Sequence, residues 1–409
     1  MKPRLFIAIH YLEIGGAEMS LIGLLQAIDY TKYDVDLFIY SHQGELMQYI
    51  PKQVNLLPEI PAYSYIERPI KEALRKGFYG IVWGRLKARV QHKRYAHKKK
   101  PIDNAAVLHY IFSDVEPFLP DINPRTEYDM AISFLMPHNI VLNKIRAKKK
   151  VCWIHTDYTH IDVNPELELP VWSKYDHIVS ISPDVTRTFL QVFPSLEDKI
   201  VLIENILSPA FVKNRAEEIS EAQIRKEMPK TEGIINFLSV GRFSYPKNYD
   251  NVPDICKRIN SQFSILNSQV RLRWYIIGFG ADEARIRQKI VESGMQDSVI
   301  LLGKKTNPYP YIKACDVYAQ PSRYEGKSVT VREAQMLCKP IIVTDYPTAK
   351  SQVQNSIDGI IVPLDNEQCA KSIVQAISSP SRLGCLANYL QLHDYGNMEE
   401  IQKLDQLLV

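Results

Sequence analysis

Apolar positions along the chain fall into short runs separated by stretches of helical spacing. The run "RLFIAIH" (Arg4 to His10) passes through glycines into "AEMSLIGLLQAI", where Met19, Leu21, Leu24 and Leu25 make one face. That is strand, glycine turn, helix. "YDVDLFIY" (Tyr33 to Tyr40), "YDMAISFL" and "KKKVCWIH" read as later strands with helical stretches between them. Apolar strands alternating with helices predict a parallel sheet covered on both faces.

After a polar, charged stretch around Asn214 to Glu232 the alternation restarts. "INFLSVGR" (Ile235 to Arg242), "VRLRWYIIGFG", "SVILLG", "DVYAQPS", "KPIIVTD" and "DGIIVPL" follow as short strands, with helical patterns such as "EARIRQKIVESG" between them. The predicted class is α/β, with two Rossmann-like doubly wound parallel-sheet domains facing a central cleft. The expected boundaries are 1–205 for an N-terminal domain with a basic insertion over 68–100, and 206–232 for a linker. A C-terminal domain then covers 233–385, and a helical tail over 386–409 can return to the first domain.

Length and composition fit this reading. The chain has 409 residues, 45% hydrophobic and 23% charged, enough for two cores. The opening segment has only about six apolar residues before His10, too few for a signal peptide, and no window approaches the roughly 18 apolar residues of a membrane span. Cys152, Cys256, Cys315, Cys338, Cys369 and Cys385 form no C-x-x-C pair; free thiols in a reducing compartment are expected, with neither a metal cage nor a disulfide framework.

Three groups of residues carry candidate chemistry. Gly15 and Gly16 sit where a strand hands over to a helix, a place suited to phosphate, although "EIGGAEMS" is no G-x-G-x-x-G fingerprint. Arg242 and Lys247 in "VGRFSYPKN" follow a strand, where a guanidinium and an ammonium together neutralise a diphosphate. In "RYEGKSVTVREAQMLCKP" two acids, Glu325 and Glu333, span about 12 Å if both are helical. That is too far for a glycosidase-type carboxylate pair, and about the separation of the two sugars of a nucleotide sugar. Backbone N–H groups of Lys327, Ser328 and Val329 at that helix start favour an anion between them. Gly278 and Gly280 in "IIGFGADE" permit close backbone approach. Each of these also has a bland reading, as a plain turn, solvated cations or exposed helix glutamates.

In order and position these motifs resemble the retaining nucleotide-sugar glycosyltransferases of family 4, with the two-Rossmann architecture known as GT-B. The resemblance rests on "GGAE", "WIHTD", "GRFSYPKN", "GFG", "EGKSVTVREA" and "DGIIV". It implies that Arg242 and Lys247 grip the donor diphosphate, Glu325 holds the transferred sugar, Glu333 holds the ribose and His155 lines the sugar pocket. Gly15 and Gly16 match the loop that approaches donor phosphate and acceptor, and Gly278, Gly280, Gly326, Lys327, Ser328 and Val329 complete the donor-binding set. Many family members have an aromatic where this chain has Lys327, a variant similar to bacterial capsule, exopolysaccharide and glycolipid transferases. The implied reaction moves a hexose from a nucleoside-diphosphate sugar, UDP being a family-level choice over GDP. The implied acceptor is a lipid-linked saccharide or lipid in cell-envelope synthesis. The leaving diphosphate takes the acceptor's proton, and no cofactor or side-chain base is required.

Net charge is only +4, but 68–100 holds twelve Lys/Arg against the single acid Glu72. Ile70, Leu74, Phe78, Val82, Leu86 and Val90 fall near one helical face, with cations around them, including Arg85, Lys87, Arg89, Lys93 and Arg94. Such helices lie on anionic membranes, which predicts a cytoplasmic protein, peripheral on the inner face of the cytoplasmic membrane. Nucleic acid is not an expected partner, since no recognition fold accompanies the cations. Nor is a metal: "DVD" at Asp34 to Asp36 lies inside a strand. The rival readings are a two-Rossmann nucleotide-sugar epimerase and a non-catalytic membrane adaptor of the same fold.

Overall fold

A computed structural model describes residues 2–99, 106–159, 161–266 and 269–408. The chain forms two compact units, Met1–Ile206 with Asn397–Val409, and Leu207–Gly396. Among the described residues the first unit has seven parallel strands: β1 (Arg4–Ile9), β2 (Asp34–Ile39), β3 (Asn55–Leu56), β4 (Tyr128–Ser133), β5 (Ala147–Ile154), β6 (His177–Ser180) and β7 (Ile200–Leu202). Their spatial order is β3-β2-β1-β4-β5-β6-β7. The second unit has six, β8 (Ile234–Val240), β9 (Arg271–Ile277), β10 (Val299–Gly303), β11 (Val317–Gln320), β12 (Ile341–Thr344) and β13 (Ile360–Val362), in the order β10-β9-β8-β11-β12-β13. Both are doubly wound α/β sheets, as the alternation predicts.

The central strands are buried on both faces, which is why they read as continuous apolar runs. Leu5, Phe6, Ile7, Ala8 and Ile9 of β1 are all buried. In the second unit Phe237, Trp274, Ile276, Val317 and Ala319 of β8, β9 and β11 join the core with Ile255 and Ile259 of the Val252–Ile265 helix. The one indole N–H in that core is satisfied: Trp274 Nε1 donates to Ser239 Oγ at 2.8 Å, and Ser239 Oγ donates to the Ala319 carbonyl at 2.6 Å. On β2, Asp36 accepts from Tyr128 OH (2.6 Å), Asn55 Nδ2 (2.7 Å) and Arg4 (3.2 Å), so this carboxylate of the "DVD" run ties strands together.

Two boundaries differ from the sequence reading. The expected linker 206–232 holds two helices, Pro209–Ala216 and Glu221–Glu227, and from Leu207 onward belongs to the second unit. Its charges, which suggested a solvated linker, bond to backbone: Arg215 donates to the Thr306 carbonyl at 3.1 Å and Arg225 to the Ala314 carbonyl at 3.1 Å. At the other end, the Pro380–Leu392 helix stays in the second unit, and the chain joins the first only at Asn397. There Asn397 Nδ2 donates to the Asn205 carbonyl (3.0 Å), and Glu400 accepts from Glu204 N–H (2.9 Å).

The basic segment is also built differently. It breaks at Gly77, whose φ of +81° suits glycine, into helices Ile70–Arg75 and Tyr79–Lys99; Lys100 lies outside the described residues. The face of the longer helix packed on the protein is Ile81, Gly84, Arg85, Ala88 and His92. Gly84 decides this: a Cβ there would lie 2.6 Å from the Asp114 carbonyl oxygen, so the Ala106–Val115 helix approaches too closely for any side chain. Leu86 and Val90, expected on the apolar face that lies on a membrane, are 45% and 49% exposed. Arg85, expected on the surface, is 7% exposed and donates to the carbonyls of Tyr65 and Arg68. Lys87, Arg89, Lys93 and Arg94 are exposed, with Lys87 paired to Asp114 at 2.7 Å.

Candidate functional site

In the second unit the sheet order reverses between β8 and β11, neighbours whose chains leave in opposite directions. The loops after such strands diverge and leave room at their carboxyl ends. The loop after β8 carries Arg242 and Lys247, and the loop after β11 carries Glu325.

Three ties bring these loops together. Asn248, at a left-handed φ of 60°, donates from its buried Nδ2 to the Pro321 carbonyl at 2.8 Å. The Arg323 backbone N–H donates to the Pro246 carbonyl at 2.7 Å. The Arg323 guanidinium forks onto Asp250 at 3.0 and 3.1 Å, donates to the Tyr245 carbonyl at 2.6 Å and lies 4.2 Å from the Tyr245 ring centroid. A bidentate, charge-assisted pair of this kind fixes orientation as well as distance. The turn Tyr245–Lys247 is thereby held so that Lys247 Nζ donates to Glu325 Oε1 at 2.6 Å.

Glu325 Oε1 also accepts from Gln320 Nε2 at 2.7 Å and from Ser322 Oγ at 2.5 Å. Among the described residues no bond falls on Oε2, so the carboxylate is oriented through one oxygen and keeps the other for hydroxyl donors. Arg242 is exposed, and its guanidinium has no partner among the described residues. One free cation and one carboxylate-bound cation thus flank the same strand end.

Glu333 lies in the Val329–Met336 helix and is only 2% exposed. Tyr309 OH donates to its Oε1 at 2.6 Å, and the Arg215 guanidinium stacks 5.4 Å from the Tyr309 ring. Burial pushes its carboxyl up to about 7, against the Tyr309 bond and the Arg215 charge. This is no exposed helix glutamate. The amide proposed for an anion at Ser328 is engaged: Ser328 N–H donates to Gln352 Oε1 at 3.1 Å, and Gln352 Nε2 donates back to the Ser328 carbonyl. Gly326 and Lys327 stand in the turn before this helix, and Val329 begins it.

Gly278 and Gly280 have a structural duty within this unit. A Cβ on Gly278 would come 1.9 Å from the Gly241 carbonyl oxygen, and one on Gly280 would come 2.4 Å from that of Phe243. The tip of β9 therefore presses on the loop that carries Arg242.

In the first unit, Gly15 is the N-cap of the Gly16–Ala27 helix, and a Cβ on Gly16 would meet nothing within 4 Å. His155 follows β5, with its ring 4.7 Å from that of Phe134. Burial lowers its pKa to about 4, so the imidazole is neutral near pH 7.

Sequence reasoning passed over Arg323, Tyr309, Gln320 and Gln352. "AQPSRYEG" holds a signal for two of them, polar side chains at and just after the end of an apolar strand. Tyr309 and Gln352 reach the site from other segments, and nothing local marks them.

Residues 220–390 match the family described as glycosyl transferases group 1. An uncharacterized glycosyltransferase of Methanocaldococcus jannaschii is 24% identical over 257 residues, 59% of this chain and 60% of that protein, so the match spans under two thirds of the relative's length. The N-acetylgalactosamine-N,N'-diacetylbacillosaminyl-diphospho-undecaprenol 4-alpha-N-acetylgalactosaminyltransferase of Campylobacter jejuni is 27% identical over 367 residues, 89% of this chain and 87% of that protein. Anabaena HepE, solved in complex with UDP and glucose, is similar with a TM-score of 0.68 at 14% identity, covering 99% of each chain. The second unit thus carries a domain matching the group 1 glycosyl transferases, in a chain that has the GT-B fold.

Proposed function

We propose that this protein is a retaining glycosyltransferase that moves a hexose from a nucleoside-diphosphate sugar, UDP-hexose first among them, to a lipid-linked saccharide or lipid at the cytoplasmic face of a membrane. The observation that carries the reading is the Lys247–Glu325 pair at the β8/β11 strand ends, with Arg242 on the same loop as Lys247 and Glu333 buried in the helix that follows. The nucleotide in the HepE complex and the diphospho-undecaprenol in the name of the Campylobacter relative support the choice of donor and acceptor.

In this reading Arg242 and Lys247 take the charge that develops on the leaving diphosphate as the anomeric carbon–oxygen bond breaks. The acceptor oxygen bonds to that carbon on the same face, and its proton passes to a phosphate oxygen of the leaving group. Lys247 serves both Glu325 and the diphosphate, coupling sugar position to leaving-group charge. Glu325 accepts from the sugar hydroxyls and Glu333 from the ribose hydroxyls. His155 takes part as a neutral hydrogen-bonding group. The donors work by preorganised electrostatics, for which losing one costs about 10² to 10³ in rate. The proposal invokes no metal or cofactor.

Thermal-shift titration with UDP, GDP, ADP and their hexose conjugates tests the donor class. Stabilisation by one nucleotide, lost in Arg242→Ala, is expected; equal response of wild type and variant to every nucleotide would remove Arg242 from the site. With acceptor present, proton NMR of the product must show the donor's anomeric configuration for the retaining assignment to stand.

A further inference from the structure

The Tyr79–Lys99 helix turns an apolar stripe away from the protein. Tyr79, Trp83, Leu86 and Val90 are 68%, 64%, 45% and 49% exposed. At 3.6 residues per turn these four positions fall within about 60° of one another. They lie opposite the packed face of Ile81, Gly84, Arg85, Ala88 and His92. Phe118, 49% exposed, widens the stripe, because its ring lies against Gly80, 2.5 Å from where a Cβ would stand.

Charge along the helix is just as ordered. Its 21 residues contain no acid. The apolar stripe occupies the first three turns, and Lys93, Arg94 and Lys98 follow on the same side, exposed and without an ion-pair partner among the described residues. Lys87 alone on this side is neutralised, by Asp114. Two aromatic rings with polar tips, two aliphatic side chains and then uncompensated cations match the layering of an anionic bilayer surface, apolar boundary beneath and phosphates above.

We propose that this stripe is a bilayer-inserting edge. Tyr79, Trp83, Leu86 and Val90 enter the acyl boundary of an anionic phospholipid membrane while Lys93, Arg94 and Lys98 meet lipid phosphates. The inference rests on the proposed membrane partner and deepens it: contact is made by the side that carries Leu86 and Val90, joined by Tyr79 and Trp83, and it has an apolar component that salt does not screen.

Trp83 makes the test direct, because Trp153, Trp172 and Trp274 are buried at 3%, 1% and 1% exposure. The full chain is mixed with vesicles of phosphatidylcholine alone or of phosphatidylcholine with phosphatidylglycerol, and tryptophan emission and co-sedimentation are read. A blue shift with the anionic vesicles, quenching by acyl-brominated lipid, and loss of the blue shift in Trp83→Phe are expected. Combined Tyr79→Ser, Trp83→Ser, Leu86→Ser and Val90→Ser should weaken partitioning about tenfold or more at raised salt, since apolar burial supplies the salt-resistant part of interfacial binding. Combined Lys93→Ser, Arg94→Ser and Lys98→Ser should remove the low-salt component. These side chains are exposed, so the variants should keep wild-type circular dichroism and nucleotide binding. Apolar variants that bind like wild type, or unshifted and unquenched emission, would overturn the insertion. So would wild-type oligomers dissolved by the apolar substitutions, which would make the stripe a protein interface. Failure of nucleotide binding with vesicle binding intact would sink the transferase reading and leave this one standing.

Discussion

Replacing Glu333 by glutamine should make the second unit more stable near pH 8 and less able to hold a nucleotide. Glu333 is 2% exposed, and its carboxyl is raised from 4.5 to about 7 by burial. The sign follows from proton counts: between those two values the folded chain keeps a proton that the unfolded chain has lost, so stability falls as pH rises. It is unimpaired below pH 4.5 and fully reduced once pH passes about 7. At about 1.4 kcal/mol per pH unit the interval corresponds to about 3 kcal/mol. Glutamine carries no such penalty and can still accept the 2.6 Å bond from Tyr309 OH. Urea unfolding of wild type and Glu333→Gln at pH 5, 6, 7 and 8 should therefore give curves that nearly coincide at pH 5 and separate steadily, with the variant the more stable by about 2–3 kcal/mol at pH 8. UDP affinity of the variant should fall about tenfold, since a neutral amide replaces a charge-assisted acceptor for ribose. A constant stability difference across the pH range would refute the reasoning, because it would mean that the Glu333 proton is not held by burial.

Two further substitutions probe the loops. Arg323→Ala removes the fork onto Asp250 and the tie to the Tyr245 carbonyl, and should raise the donor KM more than it lowers kcat, with a stability loss of about 1.5–3 kcal/mol in urea unfolding; Arg323→Lys should recover the stability only in part, and an unchanged KM in Arg323→Ala would show that the Lys247 turn holds itself. Gly278→Ala drives a Cβ to within 1.9 Å of the Gly241 carbonyl and should cost about 2 kcal/mol or more, whereas Gly16→Ala meets nothing within 4 Å and should melt like wild type; an activity loss in stable Gly16→Ala would mark a ligand approach there, and equal melting of both variants would contradict the packing argument.

The sequence read the second unit well because all six of its strands are apolar runs with turn residues at their ends. In the first unit the two-residue β3, "HIVS" of β6 and "IVL" of β7 are too short to show a period. The 206–232 stretch reads as a linker on composition, since nothing local tells a cation in water from one capping the carbonyls of Thr306 or Ala314. Arg242, Lys247, Glu325 and Glu333 are visible as residue types near strand ends. The bonds that hold their surroundings, Tyr309 to Glu333, Arg323 to Asp250 and Gln352 to Ser328, are not, because they join segments far apart in the chain.

What the sequence by itself determined was the parallel α/β class, the placement of charged groups after β8 and β11, and a basic helix without acids. Those are properties of local period and composition. Tertiary structure decided which of two helical faces turns inward. Close approach of the Ala106–Val115 helix selected the face of Gly84 and Ala88, leaving Leu86 and Val90 outside and burying Arg85. It also decided that Glu333 is buried and Glu325 bound to Lys247. Side-chain type sets which contacts are favourable, whereas burial and pairing depend on what the rest of the chain brings near, and that is fixed only when the fold closes.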